Sequence, residues 1–288
     1  MPRIVSLISS ATEIVGALGM TAHLVGRSHE CDYPEAVRSL PMCTRPRIPA
    51  AADSAEIDRL VRESKRTSIS VYEVFADVIE ALRPTHILTQ IQCDVCAVSL
   101  RDVEAAFSRG MKGQPEVVSL QPDSLVGIWE DVRRVARALG IEARGEEVVA
   151  ELQQRIARVR DAEPVKVACV EWMEPLMPAG YWTPELIDLA GGINLHWTDW
   201  DELVAADPDV IVVAPCGFDL DRAVEESHFM TSRTGWSGLR ARKFFVDGNA
   251  YFNRPGPRVV ETHRILCEIF YPDRFTPDGC GTAWREIS

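Results

Sequence analysis

The sequence lacks the features that would tie it to a membrane or to a nucleic acid. No apolar run approaches the roughly 20 residues that a membrane-spanning helix needs. No dense run of lysine and arginine is present, and the formal net charge of −12 argues against nucleic acids and anionic membranes as partners. We therefore expect a protein that is not embedded in a membrane and does not bind nucleic acid.

Sequence motifs of enzyme chemistry are also missing. The chain contains no P-loop, no G-x-S-x-G elbow, no H-E-x-x-H helix and no dinucleotide fingerprint. A nucleophile pair composed of Cys31 and His29 is a poor candidate, because side chains this close in sequence rarely aim at one reacting atom. The sequence therefore predicts a protein without enzymatic activity.

Cysteine spacing and the N-terminal segment bear on the compartment. The eight cysteines are not spaced as in a small secreted disulfide scaffold. The N-terminus is basic and then apolar, but Ser9, Ser10, Thr12 and Glu13 interrupt the apolar stretch, and no small-residue cleavage site follows. We expect a cytoplasmic protein with mostly reduced cysteines, or a periplasmic one if a leader has been removed.

What the sequence does contain is one order of strands and helices that occurs twice. The stretches "ALRPTHILTQIQC" and "AADPDVIVVAPCG" share a helix end, a proline and a buried strand. Further patterns predict a helix over residues 71–82 and strands over 116–120 and 165–172. Alternating strands and helices indicate parallel sheets covered on both faces. The predicted fold class is α/β, with two Rossmann-like lobes at residues 1–142 and 164–288.

The segment between the lobes, "EARGEEVVAELQQRIARVRDA", carries apolar residues at helical spacing. This pattern predicts that residues 143–163 join the lobes through one long helix of about 18 residues, roughly 27 Å long. Ligands of such sheets bind beyond the carboxyl ends of the strands. That rule selects residues 9–12, 90–96, 172–182 and 216–218, and it predicts a ligand cleft between the lobes.

Six stretches spanning nearly the whole chain carry a family resemblance. They are "RIVSLISSATEIVGALG", "LVGRSHECDYP", "ILTQIQCDVCAVS", "WMEPLMPAGYWTPELIDLAGG", "DPDVIVVAPCGFDL" and "NAYFNRPGPRVVE". The chain resembles the helix-linked periplasmic binding proteins that serve ABC importers for cobalamin, iron–siderophores, haem and some metals, and most of all the cobalamin-binding branch. The resemblance implies a monomer that holds cobalamin or another corrinoid between its lobes and delivers it to an importer.

The C-x-x-C pair of Cys93 and Cys96 has three interpretations. A redox pair would sit at a helix N-terminus, which fits in part, but the surrounding plan is not thioredoxin-like. A zinc or iron site would need about four ligands, and Cys31, Cys93 and Cys96 are its candidates. Small buried thiols that pack a loop base are the third interpretation. The alternative function is accordingly a cytoplasmic metal-binding or redox protein on the same scaffold.

Aromatic residues at the predicted strand ends suit a large, partly apolar ring. A corrin needs flat aromatic walls and a few polar groups that fix its amides. The predicted aromatic contacts are Tyr33, Trp172, Trp182 and Phe218, and the polar contacts are Gln90, Gln92, Glu185 and Arg254. Ser10, Cys93 and Cys216 complete the predicted ligand-binding set. For docking to the permease of an importer, the acidic residues Glu73 and Glu202 are the candidates.

Overall fold

The computed structural model describes residues 1–49, 51–67, 70–90 and 114–287. The chain divides into two compact units. The first comprises Met1–Ala52 and Arg59–Leu152, and the second comprises Asp53–Asp58 and Gln153–Ser288. Each unit contains a sheet and helices, and the α/β class is confirmed.

The first unit is built on a four-stranded parallel sheet. Its strands are β1 (Ile4–Ser6), β2 (Leu24–Arg27), β5 (His86–Gln90) and β6 (Glu116–Leu120), in the order β2-β1-β5-β6. The predicted strand over 116–120 is found with the same bounds. Two short strands, β3 (Thr44–Pro46) and β4 (Tyr72–Val74), form a separate antiparallel pair.

The helices of this part of the chain are α1 (Ser9–Ala17), α2 (Ser54–Thr67), α3 (Ala76–Leu82), α4 (Leu125–Ala138) and α5 (Glu142–Arg155), with 3₁₀ turns at Thr21–His23 and Glu35–Ser39. The helix predicted over 71–82 is wrong in its first third. Residues 72–74 pair with β3 as a strand instead, and the helix begins only at Ala76.

Helix α5 is shorter than the long helix predicted over residues 143–163. It ends at Arg155, because the residues that follow bond to other segments of the second unit rather than continue the helix. The Val159 N–H donates to the Leu189 carbonyl at 2.9 Å. Asp161 adopts a positive φ of 58°, which a helix does not permit.

The second unit has a mixed sheet. Its strands are β7 (Val165–Met173), β8 (Leu176–Pro178), β9 (Gly192–Asn194), β10 (Val210–Val213), β11 (Arg242–Val246) and β12 (Trp284–Glu286). The order is β12-β11-β10-β7-β8, and β9 also pairs with β7. Strand β10 is parallel to both β7 and β11, whereas β8 and β12 run antiparallel to their neighbours. The prediction of parallel sheets is therefore confirmed for the first unit and for β7, β9, β10 and β11 of the second, whereas β8 and β12 are antiparallel additions.

Helices α6 (Thr183–Leu189), α7 (Trp200–Ala205), α8 (Leu220–Glu225), α9 (His228–Thr231) and α10 (Val259–Phe270) complete the second unit, with a 3₁₀ turn at Trp236–Gly238 and a π turn at Gly248–Phe252. Its core includes the fully buried side chains of Val170, Ile211, Val213 and Phe245. No helix in the described ranges is long and apolar enough to span a membrane.

Candidate functional site

In the first unit, the carboxyl ends of β1, β2 and β5 lie at one edge of the sheet, because these strands are parallel neighbours. We call this the strand-end edge of the first unit. Thr12 Oγ1 lies 2.8 Å from Ser6 Oγ and 2.9 Å from the Cys31 sulfur. Ser28 Oγ lies 3.2 Å from the same sulfur. This buried network ties the loop after β1 to the loop after β2 and fixes the segment that leads to Tyr33.

Three predicted ligand residues of the first unit are described at this edge. Tyr33 is 49% exposed, whereas Ser10 and Gln90 are only 1% and 4% exposed. Ser10 lies in the first turn of α1, and Gln90 is the last residue of β5. Gln92 lies outside the described residues. Of the three residues described, Tyr33 is the one with a large exposed surface.

The Cys31 thiol is buried, and burial raises its pKa. A high pKa disfavours the thiolate form that binds metals. The other two predicted metal ligands, Cys93 and Cys96, lie outside the described residues. Within the described ranges, no three His, Cys, Asp or Glu side chains form a group that could hold a metal ion. The zinc or iron hypothesis therefore stays a prediction.

His29, two residues before Cys31, is held in one place by the protein. Its ring Nδ1 lies 2.8 Å from Thr44 Oγ1, and its ring packs against Tyr72 with centroids 5.4 Å apart. Burial, with a smaller contribution from the Arg27 charge, lowers the pKa of His29 to about 4. The imidazole is consequently neutral at physiological pH.

The second unit has an equivalent edge, formed by the loops that follow the parallel strands β7, β10 and β11. We call this the strand-end edge of the second unit. The Cys216 N–H donates to the Glu171 carbonyl at 3.1 Å, and the Asn249 N–H donates to the Phe218 carbonyl at 2.9 Å. A Cβ added at Gly248 would lie 2.2 Å from the Pro215 carbonyl oxygen. These contacts hold the loop after β10 against strand β7 and against the loop after β11.

Two of the predicted aromatic contacts are buried within the second unit. Phe218 is 1% exposed, and its ring centroid lies 5.3 Å from that of Trp172. The Arg222 guanidinium lies 3.8 Å from the Phe218 centroid. Trp182 is 6% exposed, and its indole N–H donates to the Phe252 carbonyl at 3.1 Å. Trp172 is half-buried. That these rings contact a ligand stays a prediction.

Tyr181 is a residue of this edge that the predicted contact set does not include. It is 53% exposed, and its ring stacks on Trp182 with centroids 5.8 Å apart. Its φ of 54° lies in the left-handed region, which is unfavourable for a tyrosine. In the sequence, Tyr181 follows Trp172 and precedes Trp182 in a segment that contains two prolines and a glycine, which indicates an aromatic loop. Nothing in that pattern distinguishes the exposed ring from the buried ones.

The remaining predicted ligand residues of the second unit have little exposed surface. Cys216 is half-buried in the loop after β10, and Glu185 is half-buried in the first turn of α6. Arg254 is 4% exposed, and its guanidinium donates to Asn249 Oδ1 at 3.1 Å. Arg254 therefore braces the loop after β11.

The two acidic residues predicted to meet a permease both have partners in the protein. Glu73 accepts a hydrogen bond from Arg45 Nε at 2.7 Å, across the β3–β4 pair. The Glu202 carboxylate accepts from the N–H and the hydroxyl of Thr198, while its own N–H donates to Asp199 Oδ1. Asp199 is thus the N-cap of α7, and the Glu202 carboxylate binds the residue that precedes this cap. A permease contact through either residue stays a prediction.

Comparisons with solved structures give the fold. A periplasmic haem-binding protein from Pseudomonas aeruginosa matches with a TM-score of 0.69 at 21% identity, over 100% of this chain and 99% of that chain. The periplasmic haem-binding protein RhuT from Roseiflexus sp. RS-1 matches with a TM-score of 0.66 at 24% identity, over 94% and 98%. The periplasmic vitamin B12 binding protein BtuF of Vibrio cholerae matches with a TM-score of 0.63 at 18% identity, over 95% and 98%.

Comparison with family models gives the family. A search of curated proteins found no match. The model of a family described as periplasmic binding protein, however, matches residues 4–243. Because this match covers most of the chain, the chain belongs to the periplasmic binding protein family.

Proposed function

We propose that this solute-binding protein binds a large macrocyclic ligand, with cobalamin or another corrinoid as the first candidate, and delivers it to an ABC importer. The family consists of binding proteins rather than enzymes, and we assign the chain no catalytic role. The periplasmic alternative fits the family, and the cytoplasmic expectation is not supported by it. In this proposal, residues on the strand-end edges of both units contact the ligand.

The observation that carries the proposal is one half-exposed tyrosine on the strand-end edge of each unit. Tyr33 is 49% exposed and Tyr181 is 53% exposed. Among the described Phe, Trp and Tyr side chains, these two are the ones that count as exposed. A flat aromatic face left in water at the ligand-binding end of a sheet suits a ligand with a large planar surface. Corrins and porphyrins have such a surface.

The charges near the two edges favour a corrinoid over haem. Haem carries two propionates, which need cationic partners, whereas the corrin periphery carries mostly neutral amides. The Arg27 guanidinium donates to the carbonyls of Ser28 and Cys31 at 3.0 and 3.2 Å, and Arg254 donates to Asn249. Both guanidinium groups thus use N–H donors to brace their own loops. Neutral hydrogen-bonding groups such as Gln90 are better matched to amides.

Titration calorimetry of the purified protein with cobinamide, cyanocobalamin and haemin tests the proposal. We expect micromolar or tighter binding of at least one corrinoid and weaker binding of haemin. Tighter binding of haemin would replace the corrinoid by haem as the ligand. If none of the three binds at micromolar concentrations, the proposal of a macrocyclic ligand is wrong.

Elemental analysis of the purified protein separates the alternative function from this one. Stoichiometric zinc or iron that disappears on Cys93→Ser would support a metal site at the C-x-x-C pair. Protein without bound metal that still binds a corrinoid would support the proposal made here.

A further inference from the structure

Strand β7 has an irregularity near its carboxyl end. Between Val170 and Trp172, two steps along β7 correspond to a single step along its antiparallel partner β8. Glu171 is therefore the extra residue of a β-bulge. Bulges bend a strand and re-aim a side chain, and they are frequent next to functional sites.

The Glu171 carboxyl lacks the partners that a structural carboxylate normally has. It accepts one long hydrogen bond, from the Gly180 N–H at 3.4 Å. Burial raises its pKa, and within the described part of the chain no cation pairs with it. Glu174, three residues later, forms an ion pair with Arg233 at 3.0 Å. Because desolvating a carboxyl without compensation is costly, packing alone gives no reason for an acid at position 171.

Glu171 is hydrogen-bonded to two segments of the second unit's strand-end edge, the segment before Tyr181 and the loop after β10. Gly180, whose N–H reaches the Glu171 carboxylate, directly precedes Tyr181. The main-chain carbonyl of Glu171 accepts from the Cys216 N–H in the loop after β10. The bulge thus holds an under-used acceptor beside the backbone that leads into Tyr181.

We propose that Glu171 anchors the ligand by accepting hydrogen bonds from N–H groups at the ligand's periphery, beside the ring of Tyr181. The inference rests on the proposed function, because the side-chain amides of a corrinoid supply those donors. A carboxylate accepts but does not donate, so Glu171 distinguishes ligands with peripheral N–H groups from ligands of the same shape without them. Glu171 would then set specificity for the amide periphery, while the tyrosine contributes apolar contact area.

The test compares two corrinoids that differ in peripheral donors. Cobinamide carries side-chain amides, whereas cobyrinic acid heptamethyl ester has the same ring and no peripheral N–H group. Affinities for both are measured by absorbance titration for the wild-type protein, Glu171→Ala and Glu171→Gln, with Glu174→Gln as the matched control. Hydrogen bonds to charged groups predict that Glu171→Ala binds cobinamide roughly 10- to 100-fold more weakly and binds the ester with unchanged affinity.

Other results contradict the inference in distinguishable ways. Unchanged affinity of Glu171→Ala for cobinamide would overturn it, and so would an equal loss for both corrinoids. A wild-type protein that binds neither corrinoid would overturn the proposed function and this inference with it. If Glu171→Ala does not fold, the isosteric Glu171→Gln carries the test, with an intermediate loss expected for cobinamide alone, because an amide oxygen accepts a weaker hydrogen bond than a carboxylate.

Discussion

Replacing Tyr181 by alanine is the sharpest test of the second unit's binding surface. The substitution removes the exposed ring and keeps the strained backbone, because alanine at a φ of 54° is as unfavourable as tyrosine. Tyr181→Phe keeps the ring and removes only the hydroxyl. The pair of variants therefore separates apolar contact with a ligand from hydrogen bonding by the phenol.

The expected magnitude follows from the area of the ring. An aromatic side chain buries about 150–250 Å² in all, and Tyr181 is 53% exposed, which leaves roughly 100 Å² for a ligand to cover. At about 25 cal/mol per Å², this area contributes at most about 2.5 kcal/mol to binding. Since ordering costs take part of that gain, we expect Tyr181→Ala to weaken corrinoid binding by roughly 10- to 60-fold. Tyr181→Phe should stay within about twofold of wild type, because a half-exposed phenol gains little net energy from one hydrogen bond.

The assay is titration calorimetry with cobinamide, accompanied by thermal unfolding of each variant. Ile193→Ala is the control, because Ile193 is 50% exposed in the same unit but lies on β9, which pairs with the amino end of β7. It should leave the affinity unchanged. An affinity of folded Tyr181→Ala within twofold of wild type would refute the assignment of Tyr181 to the binding surface.

Three further predictions concern stability and are checked by denaturant or thermal unfolding. Burial raises the pKa of Asp131 to about 6, above its ordinary value, so the stability that it contributes is complete below about pH 4 and is lost as the pH rises through 6. The free energy of unfolding of Asp131→Asn, relative to that of the wild type, should therefore rise between pH 4 and 7 by at most about 3 kcal/mol. A difference between the two proteins that does not change with pH would contradict this. Gly248→Ala should destabilise by about 1–3 kcal/mol, because its Cβ would lie 2.2 Å from the Pro215 oxygen, whereas Gly238→Ala, which has open space, should not. Glu202→Ala should cost about 1 kcal/mol, because the two hydrogen bonds that its carboxylate accepts from the Thr198 N–H and hydroxyl are lost, at unchanged ligand affinity.

The parts of the fold that could be predicted are those in which local pattern and tertiary contacts agree. The segment Glu116–Leu120 contains two valines and a leucine, it buries Val118 and Leu120 while pairing with β5, and it forms β6 with the predicted bounds. The pattern over 143–163 is equally periodic, yet the helix ends at Arg155. Its last third bonds to the second unit instead, through contacts such as Val159 to Leu189. Periodicity cannot reveal a partner that is 30 residues away.

The segments that form the site could be predicted from the sequence, whereas the orientation of their side chains could not. The rule that ligands bind beyond the ends of parallel strands selects segments, and the described residues of those segments lie at one edge of the sheet in each unit. Which side chain of a segment faces outward depends on backbone details that composition does not encode. The neighbours Tyr181 and Trp182 illustrate this, since the positive φ of the first leaves its ring exposed on top of a buried indole.

The chemistry of the site depends in the same way on how the backbone places the Glu171 carboxyl. In the sequence it is one acid in an apolar strand, where the alternation of side chains would place it on a fixed face of the sheet. The bulge removes that constraint and leaves the carboxyl beside the loop of Tyr181 with a single long hydrogen bond. An apolar ring contact fits many macrocycles equally well, whereas an acceptor in this position favours a periphery rich in N–H donors. The choice between a corrinoid and haem, which the aromatic residues leave open, therefore depends on polar groups such as this one.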